Sequence, residues 1–131
     1  MLVRHVLDRK GHETHAIGPE ATVLEALRRM AEHEIGALLV MQGDRVLGVI
    51  SERDYARKVA LLGRASRDTL ISQIMTAPAV TVRPQAGFRQ IIAAFRRHTG
   101  RSMPVVDDDG RLAGMLLRKD FLEALDRGAH R

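Results

Sequence analysis

The sequence contains one pattern twice, and this repeat limits the folds open to the chain. The segment Gly18–Ala21 aligns with Arg83–Ala86 at an offset of 65, and Gly48–Tyr55 aligns with Gly114–Phe121 at an offset of 66. The extra residue of the second copy falls in a polar turn. Self-similarity over nearly the whole chain indicates two copies of one supersecondary unit.

Each copy predicts the same element order, which is strand, helix, strand, strand, helix. Apolar residues at helical spacing follow Pro19 and Pro84, and Thr22 and Glu25 have the spacing of a capping box. Turns that contain glycine join the last two strands of each copy into hairpins. The predicted strands are Thr14–Ile17, Ala37–Met41 and Arg45–Ile50 in the first copy, and Ala79–Val82, Met103–Val106 and Leu112–Leu117 in the second.

A unit of this size buries a limited share of its surface, so we expect two units that share one core. We divide the chain at residues 1–65 and 66–131 and predict an α+β fold in which two pseudo-symmetric β-α-β-β-α repeats pack sheet to sheet. In the second copy, we expect Ile71, Ile74 and Met75 to take the places that Val3, Val6 and Leu7 take in the first. The closing helices are expected to face inward with Tyr55, Val59 and Leu62, and with Phe121, Leu122 and Leu125.

Composition narrows the function. The chain is 45% apolar and has no cysteine, which excludes a disulfide framework, a thiol nucleophile and a thiolate metal site. The 21 basic against 16 acidic residues favour anionic partners, whereas one Tyr, three Phe and no Trp argue against a surface that stacks nucleic-acid bases. The early charges and the short apolar runs predict a cytoplasmic protein without a membrane segment.

The motif Gly48-Val49-Ile50-Ser51-Glu52-Arg53-Asp54, which closes a β-α-β-β-α unit that occurs twice, resembles the CBS domain. That domain usually occurs as a tandem pair, the Bateman module, and the resemblance covers nearly the whole chain. It implies a stand-alone regulatory module that binds an adenosine-containing ligand in the cleft between its repeats. The ligands implied are AMP, ADP, ATP, NAD-type dinucleotides and S-adenosylmethionine, with no catalytic cofactor.

The resemblance also implies which residues of the first copy bind the nucleotide. The family aspartate, here Asp54, accepts hydrogen bonds from the ribose hydroxyls, and a carboxylate suits this role because it only accepts. Ser51 and Arg53 are expected to face phosphate. The adenine is expected between apolar edges, with Ile50, Val80 and the Gly100–Arg101 segment as candidates.

The second copy departs from this pattern because Leu117 stands where the family has Ser or Thr. Asp120 is retained, and Arg118 and Lys119 precede it, so a weaker or differently tuned site is expected there, with Arg101 as a further cation. Its adenine wall is expected to come from His15, Ile35 and Gly36 of the first copy.

Simpler roles for the same residues stay open. Asp54 and Asp120 could simply be N-caps of the helices that follow, and Ser51 could be an ordinary polar residue at a strand end. The arginines and Lys119 could be solvated surface charges. His12 and His15 have a spacing that can bind metal on a helix, but the local sequence favours a loop that enters a strand, so we expect no metal site.

Three functions from different classes are open to a chain of this sequence. Nucleotide-dependent regulation of an unidentified partner protein is favoured. Nucleic-acid binding through Arg96, Arg97, Arg101 and Arg111 is the alternative. An enzyme is the least favoured function, because the sequence offers no nucleophile, metal cluster or acid–base pair at useful spacing.

We also expect a disc-like homodimer. CBS pairs usually associate through their helices, and the predicted helix faces here carry more apolar surface than one thin pair of sheets can cover. These faces carry Val23, Leu27 and Met30 in the first copy, and Phe88, Ile92 and Phe95 in the second.

Overall fold

A three-stranded sheet organises the first repeat. In the computed structural model, which describes residues 15–97 and 102–127, β1 (Ala16–Ile17) pairs parallel with β2 (Ala37–Gln42). β2 then pairs antiparallel with β3 (Arg45–Ser51). The turn between them places Gly43 at a φ of 62°, a left-handed conformation that glycine adopts without strain.

The helices packed with this sheet carry buried residues on one face. The helix α1 (Val23–His33) buries Val23, Ala26 and Met30, and the Thr22 hydroxyl accepts the Glu25 N–H at 3.2 Å, so the predicted N-cap is confirmed. After β3 come α2 (Glu52–Tyr55), a π-helical turn (Ala56–Ala60) that continues from it, and the short α3 (Ile71–Ile74).

The second repeat is built on a hairpin of β4 (Ser102–Val106) and β5 (Leu112–Leu117), flanked by α4 (Phe88–Arg97) and α5 (Arg118–Asp126). The strand predicted over 79–82 is reduced to a single parallel bridge between Val82 and Val105. In the hairpin turn, one oxygen of Asp107 accepts the N–H groups of Asp109 and Arg111 at 2.9 and 3.0 Å. The Arg111 N–H is the main cause of the lowered pKa of Asp107.

Each of the two compact units has a core of its own, and the α+β class is confirmed. Within the described ranges, no helix has both the length and the apolar character that a membrane span requires. The first core contains Ile17, Val23, Ala26, Met30, Leu38, Val40, Ile50, Val59, Ile71 and Ile74. The second contains Val82, Ala86, Ile91, Ala94, Phe95, Met103, Val105, Leu116, Phe121 and Ala124.

The compact unit that contains the first sheet extends to residue 79, beyond the repeat boundary at 65/66. Residues 15–79 form this first unit, and the second begins at Val80. Ile71 and Ile74, which are 0% and 1% exposed, lie in the first core, although the repeat boundary assigns them to the second copy. The residues compared with them, Val3, Val6 and Leu7, lie outside the described residues.

Two packing expectations are corrected. Leu62 and Leu122, expected to face inward, are 67% and 53% exposed, because Leu62 follows the end of the π-helical turn and Leu122 lies off the buried face of α5. Of the helix residues expected to provide apolar surface for a dimer, Val23, Met30 and Phe95 are buried within their units, whereas Leu27, Phe88 and Ile92 are only partly buried.

The segment after α3 lies unusually close to β3. The Val49 N–H donates to the Thr76 carbonyl at 3.0 Å, and the Thr76 N–H donates back to Val49 at 2.9 Å. A Cβ at the preceding residue, Gly48, would lie 2.5 Å from the Thr76 oxygen. The first glycine of the repeated motif therefore makes room for a backbone segment 28 residues further along the chain.

Gly48→Ala should lower the free energy of unfolding by about 1–3 kcal/mol, since the added methyl forces the Thr76 backbone away from β3. Urea denaturation followed by circular dichroism measures this loss. Gly18→Ala is the matched control, because no atom lies within 4 Å of the position that its Cβ would take. Equal stabilities of the two variants would contradict the close approach.

Candidate functional site

The carboxylate of Asp54 lies at the centre of a hydrogen-bond network where β3 meets α2. Its Oδ2 accepts the Ser51 N–H and the Ser51 hydroxyl, each at 3.0 Å. Its Oδ1 accepts the Thr76 hydroxyl at 3.0 Å and lies 3.1 Å from the Lys58 ammonium. Only 9% of the side chain is exposed. These donors fill the roughly four lone-pair positions of a carboxylate.

Ser51 and Asp54 together cap α2. The Asp54 N–H donates to the Ser51 hydroxyl at 3.1 Å, and the Asp54 carboxylate accepts the Ser51 N–H, which completes a capping box. Ser51 is the N-cap and Asp54 the third helical residue. The capping role that the sequence left open is therefore present in the structure, with Ser51 rather than Asp54 at the N-cap position.

Sequence reasoning missed Thr76 and Lys58. Lys58 also donates to the Ile74 carbonyl at 2.9 Å, while 42% of its side chain stays exposed. Its position four residues after Asp54 is a spacing at which opposite charges meet on a helix, so this pair had a sequence signal. Thr76 had none, since it is 22 residues from Asp54 and belongs by repeat to the other copy.

The remaining candidates of the first site have different surroundings. Ile50 is 0% exposed in the first core, so the expectation that its side chain forms an adenine wall is corrected. Side chains along β3 point alternately to its two faces, and that of Ile50 points into the core. Arg53 is exposed on α2. Val80 packs, partly buried, against the second core. Gly100 and Arg101 lie outside the described residues.

The motif of the second repeat is arranged differently. Leu117 is the N-cap of α5 and makes no side-chain cap, while Asp120 is 5% exposed at the third helical position. The Arg118 guanidinium lies 4.6 Å from the centre of the Phe95 ring and donates to the Phe95 carbonyl at 3.3 Å. Arg118 therefore contacts the end of α4, whereas Lys119 is exposed.

The three residues expected to wall the second site belong to the first unit. The exposed His15 ring stacks on His33 with 4.2 Å between the ring centres. Ile35 packs partly buried against the first core, and the Gly36 carbonyl accepts the Glu52 N–H at 3.0 Å. Among the residues that the structure describes, no three histidines or acids are grouped so that they could hold a metal ion.

Comparison with known proteins identifies the family. The profile of the CBS domain matches residues 5–61 and again residues 71–127. The chain belongs to the CBS-domain family. Tandem CBS pairs are regulatory modules that often bind nucleotides, and the two matches here follow each other directly, so this chain is such a pair.

Relatives of the CBS pair support this assignment. The chain is 34% identical over 109 residues to the mitochondrial CBS domain-containing protein CBSX3 of Arabidopsis thaliana, covering 79% of this chain and 52% of that protein. The chain thus spans about half the length of the first curated relatives that it matches. The crystal structure of the CBS-domain containing protein ATU1752 from Agrobacterium tumefaciens is 32% identical with a TM-score of 0.80, covering 95% of this chain and 99% of that one.

The CBS pair also matches part of a larger enzyme. It is 32% identical over 106 residues to the inosine-5'-monophosphate dehydrogenase of Korarchaeum cryptofilum, covering 79% of this chain but only 21% of the dehydrogenase. The similarity therefore concerns a CBS segment within that protein rather than the enzyme as a whole.

Ser51→Ala should lower the free energy of unfolding by about 1–2 kcal/mol, because it removes the N-cap of α2 and one donor to the buried Asp54. Urea denaturation provides the measurement. Thr22→Ala removes the N-cap of α1 without touching a buried carboxylate and should cost less, about 0.5–1 kcal/mol. An equal or larger loss for Thr22→Ala would show that the Asp54 network adds nothing.

Proposed function

We propose that this CBS pair binds an adenosine-containing ligand at Asp54 and reports energy or redox state to a partner protein. The ligands proposed are AMP, ADP, ATP or an NAD-type dinucleotide, with S-adenosylmethionine as a further candidate. The observation that carries the proposal is the nearly buried Asp54 carboxylate, fixed by Ser51 at the start of a helix in the family motif. Regulation, not catalysis, is the proposed role.

A ribose at Asp54 has to compete with donors of the protein itself. Oδ2 is held by two groups of Ser51, which is adjacent to it in the same capping box. Oδ1 is held by Thr76, which is exposed, and by Lys58, which is about two-fifths exposed, so both can move into solvent. We therefore propose that the ribose hydroxyls take Oδ1 and displace Thr76, Lys58 or both.

Lys58 gains a second role in this proposal. Its ammonium is within 3.1 Å of Oδ1 and is held from the other side by the Ile74 carbonyl. Once displaced from Oδ1, it is a mobile cation near the ribose position. Together with the exposed Arg53 it can neutralise phosphate, since ammonium and guanidinium groups both form charge-assisted hydrogen bonds with phosphate oxygens.

The first repeat is the better candidate site of the two. Ser51 supplies a hydroxyl beside Asp54, whereas Leu117 supplies none beside Asp120. Arg118, proposed from the sequence as a phosphate ligand, is already engaged by Phe95. We propose that the Asp54 site binds the nucleotide more tightly than any site on Asp120.

Asp54→Asn should weaken binding of the preferred adenosine ligand by about 10- to 100-fold, because hydrogen bonds to a charged group contribute about 1.5–3 kcal/mol and 1.4 kcal/mol is tenfold. Isothermal titration of the intact chain with AMP, ATP, NADH and S-adenosylmethionine gives the affinities. Absence of binding by all four ligands at millimolar concentration would contradict the proposed function.

Two further variants test the mechanism. Thr76→Val removes a donor that competes for Oδ1 and should tighten ligand binding by about 2- to 10-fold. Asp120→Asn, the matched change in the second repeat, should leave the tighter binding event unchanged. Weaker binding in Thr76→Val would refute displacement at Oδ1, and loss of the tighter event in Asp120→Asn would move the site to the second repeat.

We also propose that the chain forms a homodimer, and that apolar residues outside the predicted helix faces contribute to its interface. Leu61 and Leu62 are adjacent, 79% and 67% exposed, and follow the π-helical turn. Large apolar side chains exposed side by side are a feature of protein interfaces.

Sedimentation velocity at micromolar concentration should give about twice the 14.6 kDa chain mass. The double change Leu61→Glu with Leu62→Glu should return it to one chain, and a monomeric parent would refute the dimer.

A further inference from the structure

The second unit contains a cavity that the nucleotide proposal does not use. It has a volume of about 240 Å³ and lies between α4 and the chain segment before it. Its walls combine hydrogen-bond donors with a small apolar floor and include no Asp or Glu. The lining residues are Thr81, Val82, Arg83, Gln85, Ala86, Gln90, Ala94 and Arg97.

In the first repeat the corresponding positions are occupied differently. At the repeat offset of 65, Ala94 corresponds to Arg29 and Thr81 to Ala16. The Arg29 guanidinium donates to the Ala16 carbonyl at 2.6 Å, so a long side chain spans the distance from helix to strand. In the second repeat alanine replaces this arginine, and both Ala94 and Thr81 line the cavity.

The charges around the two positions are also opposite. Three residues that line the cavity correspond to glutamates of the first repeat, namely Gln85 to Glu20, Gln90 to Glu25 and Arg97 to Glu32. A fourth, Arg83, corresponds to Gly18. Three acidic positions have thus become two amides and a guanidinium, and a fourth position has gained a guanidinium. In the second repeat, the absence of the arginine side chain and the absence of the three glutamates therefore coincide at the same cavity.

Two of the donors that line the cavity, Gln90 and Arg83, make contacts within the unit. The Gln90 side-chain oxygen accepts the Gly87 N–H at 2.9 Å, which leaves its amide NH₂ as a donor. Arg83 is paired with Asp108, which fixes one edge of its guanidinium. On the α4 side the cation that lines the cavity is Arg97, and this helix carries no acidic residue, so this wall favours an anion, whereas Asp108 offsets the charge of Arg83.

We propose that this cavity binds the phosphate group of a small phosphorylated metabolite, or free phosphate. Two guanidiniums and an amide NH₂ match the planar, multiple-donor recognition that phosphate oxygens favour. The cavity is slightly smaller than the ~300–1,000 Å³ typical of drug-sized ligands, so it fits a small ligand. The proposal does not depend on nucleotide binding at Asp54.

Inorganic phosphate, titrated into the isotope-labelled intact chain at constant ionic strength, tests the proposal. Backbone amide signals of Val82, Arg83 and Gln90 should shift and saturate at millimolar phosphate. Arg97→Glu, which restores the acid of the first repeat at an exposed position, should weaken this binding by about tenfold or more. Ala94→Met, which fills the cavity with a long uncharged side chain and adds no cation, should abolish it.

The first repeat provides the matched control. Arg29→Ala opens the corresponding position among three glutamates, and we expect no phosphate-dependent shifts there. Shifts in the second unit that do not saturate, or that are the same in Arg97→Glu and the parent, would overturn the proposal. If Ala94→Met does not fold, Gln90→Glu and Arg97→Glu give the same test on exposed side chains, and full binding by both would also overturn the proposal.

Discussion

The pairing of Val49 with Thr76 is the contact on which the first unit depends. It joins a strand of the first sequence repeat to a segment that the repeat assigns to the second, and it needs the missing side chain of Gly48. The same contact brings the Thr76 hydroxyl to Asp54 and the Ile74 carbonyl to Lys58. The candidate site is therefore assembled from residues that the sequence assigns to both repeats and not from one repeat alone.

Duplication has left two similar scaffolds with different chemistry. Both helices that follow the hairpins carry a buried aspartate at the third position, but only the first has a serine to complete the capping box. The repeats also differ where α1 and α4 meet the segments before them, because the second has an alanine, two glutamines and an arginine where the first has an arginine and three glutamates, and a cavity lies there. The two repeats therefore have similar helices and hairpins, while the side chains at these positions differ between them.

The sequence was informative wherever local patterns determine structure. Helical spacing located α1 and α4, turn glycines located the hairpins, and the Thr22 cap formed as its spacing predicts. The motif with Ser51 and Asp54 was found through its repetition, and the structure brings the two together. These features depend on residues a few positions apart, for which backbone geometry leaves few alternatives.

Features that depend on long-range packing could not be predicted. Ile71 and Ile74 have the right apolar spacing, but spacing does not say which of two similar cores receives them. The same limit explains Ile50, whose strand position pointed to a ligand while its side chain faces the core, and Thr76, whose partner is 22 residues away. Leu62 was misplaced because a π-helical turn shifts the register of the residues that follow it.

The position of Thr76 has a thermodynamic consequence. It bonds to Asp54, and it lies only three residues before the end of the first unit at Ala79, in the stretch of chain that leads to the second. A ligand that displaces Thr76 changes the free energy of this connecting stretch. If the ligand thereby changes the affinity of a partner for the stretch by some factor, the partner must change the affinity of the ligand for Asp54 by the same factor. A partner protein that binds this connecting stretch would therefore respond to the ligand without contacting it.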